Sequence, residues 1–365
     1  MSTSPRAGQP VGRPRRTRVL VFIDLVQDVD VLLPILIALR QDDALQASII
    51  VSRWLARESP RTEALLKANG FRFTYVRRRE VIEGRAPSLR GLSAILSAAE
   101  SSHPAHAAAH ALAIRAREAD VRTYTVQHGL ENVGLFGLEA SEAVFASEAV
   151  FCWFPPAAAP DNLPGETRDK LVHVGRPEPP GGWRAKGDKR FGLGVFENLH
   201  WGRYAETDRT RFLDGLMATA RALPDMAILL RPHPAGGWAD EFSHQLAPFS
   251  NITRLRASDA RSALDGSAGI LGGISRVITT PSTVALDGAL AGLPTALAVQ
   301  GGGVYDPLPT LQTEQDWIDF GSGVAFDPTA LDQFRSRVLL AGDGAPRILG
   351  RLRRDLVGHT PNSHG

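Results

Sequence analysis

The sequence predicts an α/β fold made of two doubly wound, Rossmann-like domains that face each other across a cleft. Strand-like apolar runs alternate with helix-like segments, which is the pattern of parallel βαβ units. A chain of 365 residues is too long for one ordinary hydrophobic core. A stretch rich in Pro and Gly, at about residues 177–188, interrupts the alternation, which then resumes. We therefore expect a first domain over residues 17–180 and a second over residues 188–345, with a basic disordered tail over residues 1–16 and a helix and tail over residues 346–365.

The first half contains seven strand-like runs. The opening run is apolar and rich in β-branched residues, and most of the later runs follow at intervals that leave room for a helix. One of the helical segments is rich in alanine, the strongest helix former. We expect strands over residues 18–23, 47–51, 71–76, 94–96, 121–126, 149–154 and 170–175, and helices over residues 29–40, 103–118 and a segment through 65–66.

The second half repeats the alternation. A helical segment ends at Pro224, and a second one opens with hydroxyl residues and ends at a Gly, both of which are ordinary helix boundaries. We expect strands over residues 191–196, 227–231, 252–255, 277–280 and 295–299, and helices over residues 208–223, 282–292 and 347–357. In open parallel sheets a ligand lies beyond the carboxyl ends of the strands, so each motif below is judged by whether it directly follows a strand.

Composition excludes several classes of protein. The net charge of +2, from 41 basic and 39 acidic residues, gives no argument for a nucleic-acid partner. Cys152 is the only cysteine, so an intrachain disulfide cannot form and a reducing cytoplasm is compatible. No apolar stretch approaches the ~20 residues that span a bilayer. The basic run at residues 13–18 is either a solvated tail or a weak contact with an anionic membrane surface, so we expect a cytoplasmic protein and leave peripheral attachment open.

The first motif is Gln127-His128-Gly129, which closes a β-branched strand and is followed by Glu131. Gly129 lets the backbone turn sharply. His128 should therefore lie at the carboxyl end of a strand, where an imidazole with a pKa near neutrality can act as a general base. A histidine that caps a turn or packs in a core explains the same position, and the sequence does not separate the two interpretations.

The second motif is Arg231-Pro232-His233-Pro234, which also follows a strand directly. The two prolines fix the backbone around His233 and remove amide donors. Arg231 adds a forked donor that suits phosphate. A rigid turn with an exposed histidine is the alternative, but the Arg and His together at the expected cleft favour a ligand site.

The third motif runs from Thr280 through Ser282 and Thr283 to Asp287. A strand leads into hydroxyl residues that open a helix, and Ser282 or Thr283 can cap that helix. The free amides and the positive end of the helix dipole favour a phosphate at this point. Asp287 lies one turn further along and can face a ribose hydroxyl. An ordinary helix cap with a solvated Asp287 is the alternative.

Other polar residues also follow strands. Asp24 and Asp28 come after the first strand, and Glu197 and Asn198 come after the strand at 191–196. A zinc site of His103, His106 and His110 on one helical face lacks a matching carboxylate or Cys ligand, so we expect no metal. The chain has no Walker A sequence, no Gly-x-Gly-x-x-Gly after the first strand and no Gly-x-Ser-x-Gly, which counts against NTPases, dinucleotide enzymes and α/β-hydrolases.

Taken in order, the three motifs resemble those of GT-B-fold transferases of bacterial surface polysaccharides. The similarity extends to the capsular Kdo-transferase-like proteins and the CDP-glycerol glycerophosphotransferases, and covers about residues 120–300. The glycerophosphotransferases have Trp-His-Gly as the first element, whereas this chain has Gln127 before His128, which favours the Kdo-transferase-like branch. The first 120 residues contain no matching motif.

The resemblance implies a metal-independent glycosyltransferase with no bound cofactor. It would move a sugar, such as Kdo, from a CMP- or CDP-linked donor to a cell-surface glycan or lipid-linked acceptor. His128 and His233 would be catalytic. Two further sets of residues would bind the donor and line the acceptor side of the cleft. The donor set is Arg231, Thr280, Ser282, Thr283 and Asp287, and the acceptor or cleft set is Asp24, Gln127, Glu131, Glu197 and Asn198.

Two other classes of protein stay open. A nucleotide-sugar epimerase of similar architecture would use carboxylates as acid and base, and the sequence offers only Asp24 and Glu131 as a pair for the cleft. A non-catalytic binding protein on a degenerate transferase fold is the third, and the presence of both His128 and His233 argues mildly against it.

Overall fold

The computed structural model describes residues 16–136, 143–180, 182, 190–199, 202, 204–233, 238–255, 269–324 and 326–357. Most of the basic tail, most of the stretch expected as a linker, Pro234 and the last eight residues lie outside this part of the chain.

The first domain is built on a seven-stranded sheet in which all strand pairs are parallel. The strand order is β3-β2-β1-β4-β5-β6-β7, so the direction of winding reverses between β1 and β4. The strands β1 and β4 are apolar and almost wholly buried, as expected for strands covered on both faces. The strand bounds are β1 Thr17–Ile23, β2 Leu45–Ser52, β3 Phe73–Val76, β4 Ala94–Ala98, β5 Arg122–Val126, β6 Ala149–Cys152 and β7 Leu171–His173.

Helices cover both faces of this sheet. The longest, α1, begins at Asp28 and accommodates Pro34 in its second turn, where the apolar residues around it are buried. The helix α2 is capped by Ser52, whose hydroxyl accepts a hydrogen bond from the amide of Leu55 at 3.1 Å. The helix bounds are α1 Asp28–Gln41, α2 Arg53–Glu58, α3 Pro60–Ala68, α4 Arg78–Ile82, α5 Ala107–Glu118 and α6 Gly165–Asp169.

The second domain is built on a five-stranded parallel sheet of order β10-β9-β8-β11-β12, which also reverses its winding at the centre. Its strands are β8 Leu193–Glu197, β9 Ile228–Pro232, β10 Ile252–Arg254, β11 Val277–Thr279 and β12 Thr295–Leu297. The described helices in this half of the chain are α7 Glu206–Ala222, α8 Trp238–Glu241, α9 Ser243–Leu246, α10 Thr283–Leu290, α11 Glu314–Ser322, α12 Pro328–Val338 and α13 Gly344–Leu356. Two Rossmann-like sheets of this kind confirm the expected fold class.

The chain returns to the first domain at its end, because α13 packs against α1. Arg353 of α13 pairs with the buried carboxylate of Asp42 at 2.5 Å, and the hydroxyl of Tyr124 donates to Asp355 at 2.9 Å. The apolar core of the first domain also continues into Ala285 and Leu286 of α10. The two domains are therefore joined by packed side chains near α10 and α13.

The described part of the chain contains no helix that is both long and apolar enough to span a bilayer.

Candidate functional site

The polar motifs lie where the carboxyl edges of the two sheets meet. The amide of Leu130, in the loop after β5, donates to the Thr283 hydroxyl at the start of α10, with an N···O distance of 3.0 Å. Arg176, beyond β7, forms a buried ion pair with Asp287 of α10. These contacts join the ends of strands from opposite domains, which is the cleft position expected for a ligand.

Gln127 organises the loop that contains His128. Its side-chain oxygen accepts from the Trp153 amide at 2.8 Å, and its amide nitrogen donates to the Gly129 carbonyl at 2.9 Å. The backbone amide of His128 donates to the Asn132 side chain at 3.0 Å. A Cβ atom at Gly129 would lie 3.2 Å from the Thr283 hydroxyl, so glycine allows the two domains to approach here. Gln127 therefore positions the loop, and Glu131 lies half-buried in the same loop.

The His128 side chain is partly exposed, but its Nδ1 is buried and has no hydrogen-bond partner. The ring of His106 packs edge-on against it, with 5.4 Å between ring centroids. Burial, and to a lesser extent His106, lower the pKa of His128 to about 3. The His128 ring is therefore neutral at physiological pH and is able to accept a proton.

Two hydrogen bonds fix the histidines behind His128. The Ser101 hydroxyl and His106 Nδ1 are 2.6 Å apart, and the Glu100 carboxylate lies 2.6 Å from His110 Nδ1. Burial lowers the pKa of His106 to about 4. These bonds occupy one nitrogen of each ring, and among the described residues no group of three or more His, Cys, Asp or Glu side chains is arranged to hold a metal ion.

Asp24 and Asp28 lie at the carboxyl end of β1. Arg78, after β3, donates to the Asp24 carboxylate at 2.7 Å and stacks on the Trp54 ring at 3.7 Å. The Asp28 carboxyl accepts the amides of Asp24 and Leu25 through Oδ2, whereas its Oδ1 is buried without a partner. Burial raises the pKa of Asp28 to about 8, so this group is largely protonated at neutral pH.

Glu197 and Asn198 lie on the other side of the cleft, at the end of β8. The Glu197 carboxyl accepts the amide of Leu199 at 2.8 Å and also the backbone amide of His233. Its Oε1 is buried without a partner, and burial raises the pKa of Glu197. Asn198 exchanges hydrogen bonds with Thr280, whose hydroxyl donates to it at 2.6 Å. Glu197 thus ties together the loops that follow β8 and β9.

The start of α10 is capped as the sequence predicts. The Ser282 hydroxyl accepts the Val284 amide at 3.3 Å and lies 3.1 Å from the Thr279 hydroxyl. Thr283 instead contacts the loop of the first domain through Leu130. The Asp287 carboxylate, which was expected to face a ribose, forms an ion pair with Arg176 in this structure. Arg176 in turn lies 4.8 Å from the centroid of the Trp153 ring.

Arg231 emerges from β9 as a half-buried guanidinium without a hydrogen bond or ion pair to any residue that the structure describes. Burial lowers the pKa of Arg231, and the next cause is the nearby charge of Arg61 in α3. Asp30 and Asp287 exert weaker opposite effects. The side chain therefore lies at the interface of the two domains without an ion-pair partner among the described residues.

Sequence patterns do not indicate Arg61, Arg78 or Arg176, although each lies beside a predicted residue. Arg176 contacts Asp287 across 111 positions of the chain, and Arg78 contacts Asp24 across 54. The only signal available for them is their position shortly after a strand or at the start of a helix.

Comparisons with known proteins agree with this geometry. No protein-family model matches the chain, and no curated protein matches it. S. aureus MnaA, solved with UDP, superimposes with a TM-score of 0.68 at 12% identity, covering 96% of this chain and 100% of that one. UDP-GlcNAc 2-epimerase from Neisseria meningitidis, bound to UDP-GlcNAc, gives 0.64 at 10% identity, covering 93% and 100%. The rhamnosyltransferase SpnG gives 0.54 at 13% identity, covering 94% and 100%.

This chain has a GT-B-like fold. Identities this low show the fold alone. The resemblance to GT-B proteins is therefore confirmed, whereas a relationship to the Kdo-transferase or CDP-glycerol branch is not.

The expected glycosyltransferase function is wrong. UDP-GlcNAc 2-epimerases recur among the similar structures, including those from Methanocaldococcus jannaschii and Neisseria meningitidis. The error came from reliance on three short motifs that were expected to bind nucleotide and phosphate, because such motifs do not specify what happens to the sugar.

Proposed function

We propose that the chain is a nucleotide-sugar epimerase, which binds a nucleoside diphosphate sugar in the interdomain cleft and inverts one carbon of the sugar by proton transfer. The observation that carries this proposal is a pair of proton-transfer groups on opposite domains. His128 is neutral with an unpartnered Nδ1, and Glu197 has a raised pKa and an unpartnered Oε1. Shifted acids and bases of this kind are concentrated at catalytic sites.

Inversion requires that a proton leaves one face of a carbon and another arrives at the opposite face. The C–H bond beside the anomeric carbon breaks most readily when its electron pair expels the nucleoside diphosphate. The products of that step are an unsaturated sugar and a free diphosphate. Return of the diphosphate to the anomeric carbon, with a proton added to the other face of the neighbouring carbon, completes the inversion without net oxidation.

The residues of the cleft match the needs of this reaction. Arg231, which has no ion-pair partner among the described residues, offers a positive charge to the departing diphosphate. Burial raises the pKa of Glu197, which favours the protonated form that can donate a proton. Neutral His128 is suited to accept one, and the negative charge of a bound diphosphate raises the pKa of a nearby imidazole and makes it a stronger base.

The substrate to test first comes from the similar structures. MnaA was solved with UDP and the N. meningitidis epimerase with UDP-GlcNAc. We therefore propose a UDP-linked N-acetylamino sugar for this chain, and no bound cofactor.

The test is formation of the epimer from UDP-GlcNAc by the purified full-length protein, followed by ion-exchange chromatography, with UDP-glucose and UDP-galactose alongside. We expect His128→Asn and Glu197→Gln each to lower turnover about 100-fold or more while UDP still binds. Glu58→Gln, at an exposed position of α2, is the matched control and should leave turnover unchanged. Unchanged UDP-sugars in the presence of a wild-type protein that binds UDP would contradict the proposal.

A further inference from the structure

Arg61 holds a fixed position on the first-domain side of the cleft. It lies in the first turn of α3, where a positive charge opposes the helix dipole, so its position is not explained by helix stability. Its guanidinium forms a forked ion pair with Asp30 in the first turn of α1, with Nη1 at 3.1 Å from the carboxylate. Its Nε is buried and has no partner. The side chain therefore retains an unused donor while its orientation is set by Asp30.

Arg231 lies on the second-domain side, within electrostatic reach of Arg61. The charge of Arg61 lowers the pKa of Arg231, so the two guanidinium groups lie near enough to repel each other. The repulsion between two partly buried guanidinium groups destabilises the folded protein, and an anion bound between them would offset this repulsion.

The carboxylates nearby do not supply this anion. Asp30 is already paired with Arg61, and Asp287 is already paired with Arg176. Among these described groups, both carboxylates are therefore paired with other arginines, and Arg231 is the guanidinium that has no ion-pair partner. The forked N–H groups of arginine match the oxygens of a phosphate.

We propose that Arg61 and Arg231 form a phosphate clamp, in which one arginine from each domain grips the diphosphate of the ligand. The proposal rests on the proposed function only for the identity of the anion as part of a nucleotide sugar. The two domains are already joined near α10 through Leu130 and Thr283. Binding of a diphosphate therefore draws the other end of the cleft, between α3 and β9, together.

Calorimetric titration with inorganic pyrophosphate, UDP and uridine tests the clamp on the full-length protein. Arg61→Gln should weaken binding of pyrophosphate and UDP by about tenfold to a hundredfold, and leave binding of uridine unchanged. The matched control is Arg57→Gln, which removes an exposed arginine of α2 that has no ion pair within the described structure. It should bind all three probes as the wild type does.

Asp30→Asn separates a clamp from a structural ion pair. The asparagine oxygen can still accept a hydrogen bond from Arg61 and orient it, but the negative charge that competes with the ligand is removed, so the clamp predicts pyrophosphate binding that is several-fold tighter than in the wild type. An ion pair that only holds α1 and α3 together predicts weaker binding instead. Circular dichroism and the melting temperature confirm that each variant is folded.

The outcomes for the clamp and for the function differ. Wild-type affinity for pyrophosphate and UDP in Arg61→Gln, or no binding of pyrophosphate to the wild type, would overturn the clamp and leave the proposed epimerase intact. Weakened binding in Arg61→Gln, in a protein that forms no epimer from any UDP-sugar, supports the clamp and contradicts the function.

Discussion

Replacement of Asp28 by asparagine should make the protein more stable at neutral and alkaline pH. The carboxyl group is fully buried, and burial raises its pKa to about 8 from an ordinary value of 3.8. The folded state therefore keeps a proton that the unfolded chain releases above pH ~4. The stability of the wild type consequently falls as pH rises from about 4 to 8, and asparagine removes this dependence.

The magnitude follows from the pKa and from the hydrogen bonds. One titrating group changes the free energy of unfolding by about 1.4 kcal/mol per pH unit. The wild type therefore loses about 4 kcal/mol between pH ~4, the pKa of the unfolded chain, and pH 7. An asparagine oxygen can still accept the amides of Asp24 and Leu25. Its NH₂ group replaces the unpartnered Oδ1 and costs about 1–3 kcal/mol in a buried position. The net gain at pH 7 is therefore about 1–3 kcal/mol.

Urea unfolding of the wild type and Asp28→Asn at pH 5, 6, 7 and 8 measures this difference directly. The stability of the variant relative to the wild type should increase by about 1.4 kcal/mol with each pH unit. A difference that is the same at all four pH values would refute a protonated Asp28. Since a costly buried acid is retained at the mouth of the cleft, we also expect the stabilised variant to lose activity.

Three further predictions concern other buried groups. The pKa values of about 4 for His106 and 3 for His128 keep both rings neutral in the folded state, so the free energy of unfolding should fall by up to about 2.8 kcal/mol per pH unit as pH drops below 6.5. In urea titrations, His106→Gln should roughly halve this slope. An unchanged slope would exclude a contribution from His106. Arg176→Met should cost about 3–5 kcal/mol, because it removes the buried ion-pair partner of the Asp287 carboxylate. The double variant with Asp287→Leu should recover most of the loss in thermal unfolding, and equal losses would show that the pair is not coupled. Burial raises the pKa of the Cys152 thiol, so a thiol reagent at pH 8 should modify it only after unfolding, and rapid labelling of the native protein would contradict its position in the core.

The fold was predictable because each parallel strand is a local apolar run. The strands expected at residues 18–23 and 277–280 are found as Thr17–Ile23 and Val277–Thr279, each within a few residues. The helices Glu314–Ser322 and Pro328–Val338 were not expected, since each has only a few apolar residues at helical spacing among many polar ones. Their stability comes from packing, as for Trp317 and Phe334, which are fully buried.

The candidate site was predictable only in part. His128, Glu197, Arg231 and Ser282 directly follow strands, and the structure brings them to the same cleft. The partner of Asp287 was not predictable, because no local pattern relates it to Arg176, which is distant in the sequence. The raised pKa of Glu197 was not predictable either, since burial of a carboxyl group depends on packing between elements that are far apart in the chain.

The most direct test of the central claim is solvent-proton exchange during incubation of the protein with UDP-GlcNAc in D₂O, followed by ¹H NMR. Inversion by proton transfer predicts that deuterium replaces the hydrogen on the carbon that is inverted, in the product and then in recovered substrate. His128→Asn, which lacks the group proposed to remove that hydrogen, should abolish this exchange. A UDP-sugar that binds for many hours without any loss of its C–H signals, at a protein concentration that saturates it, would contradict the account.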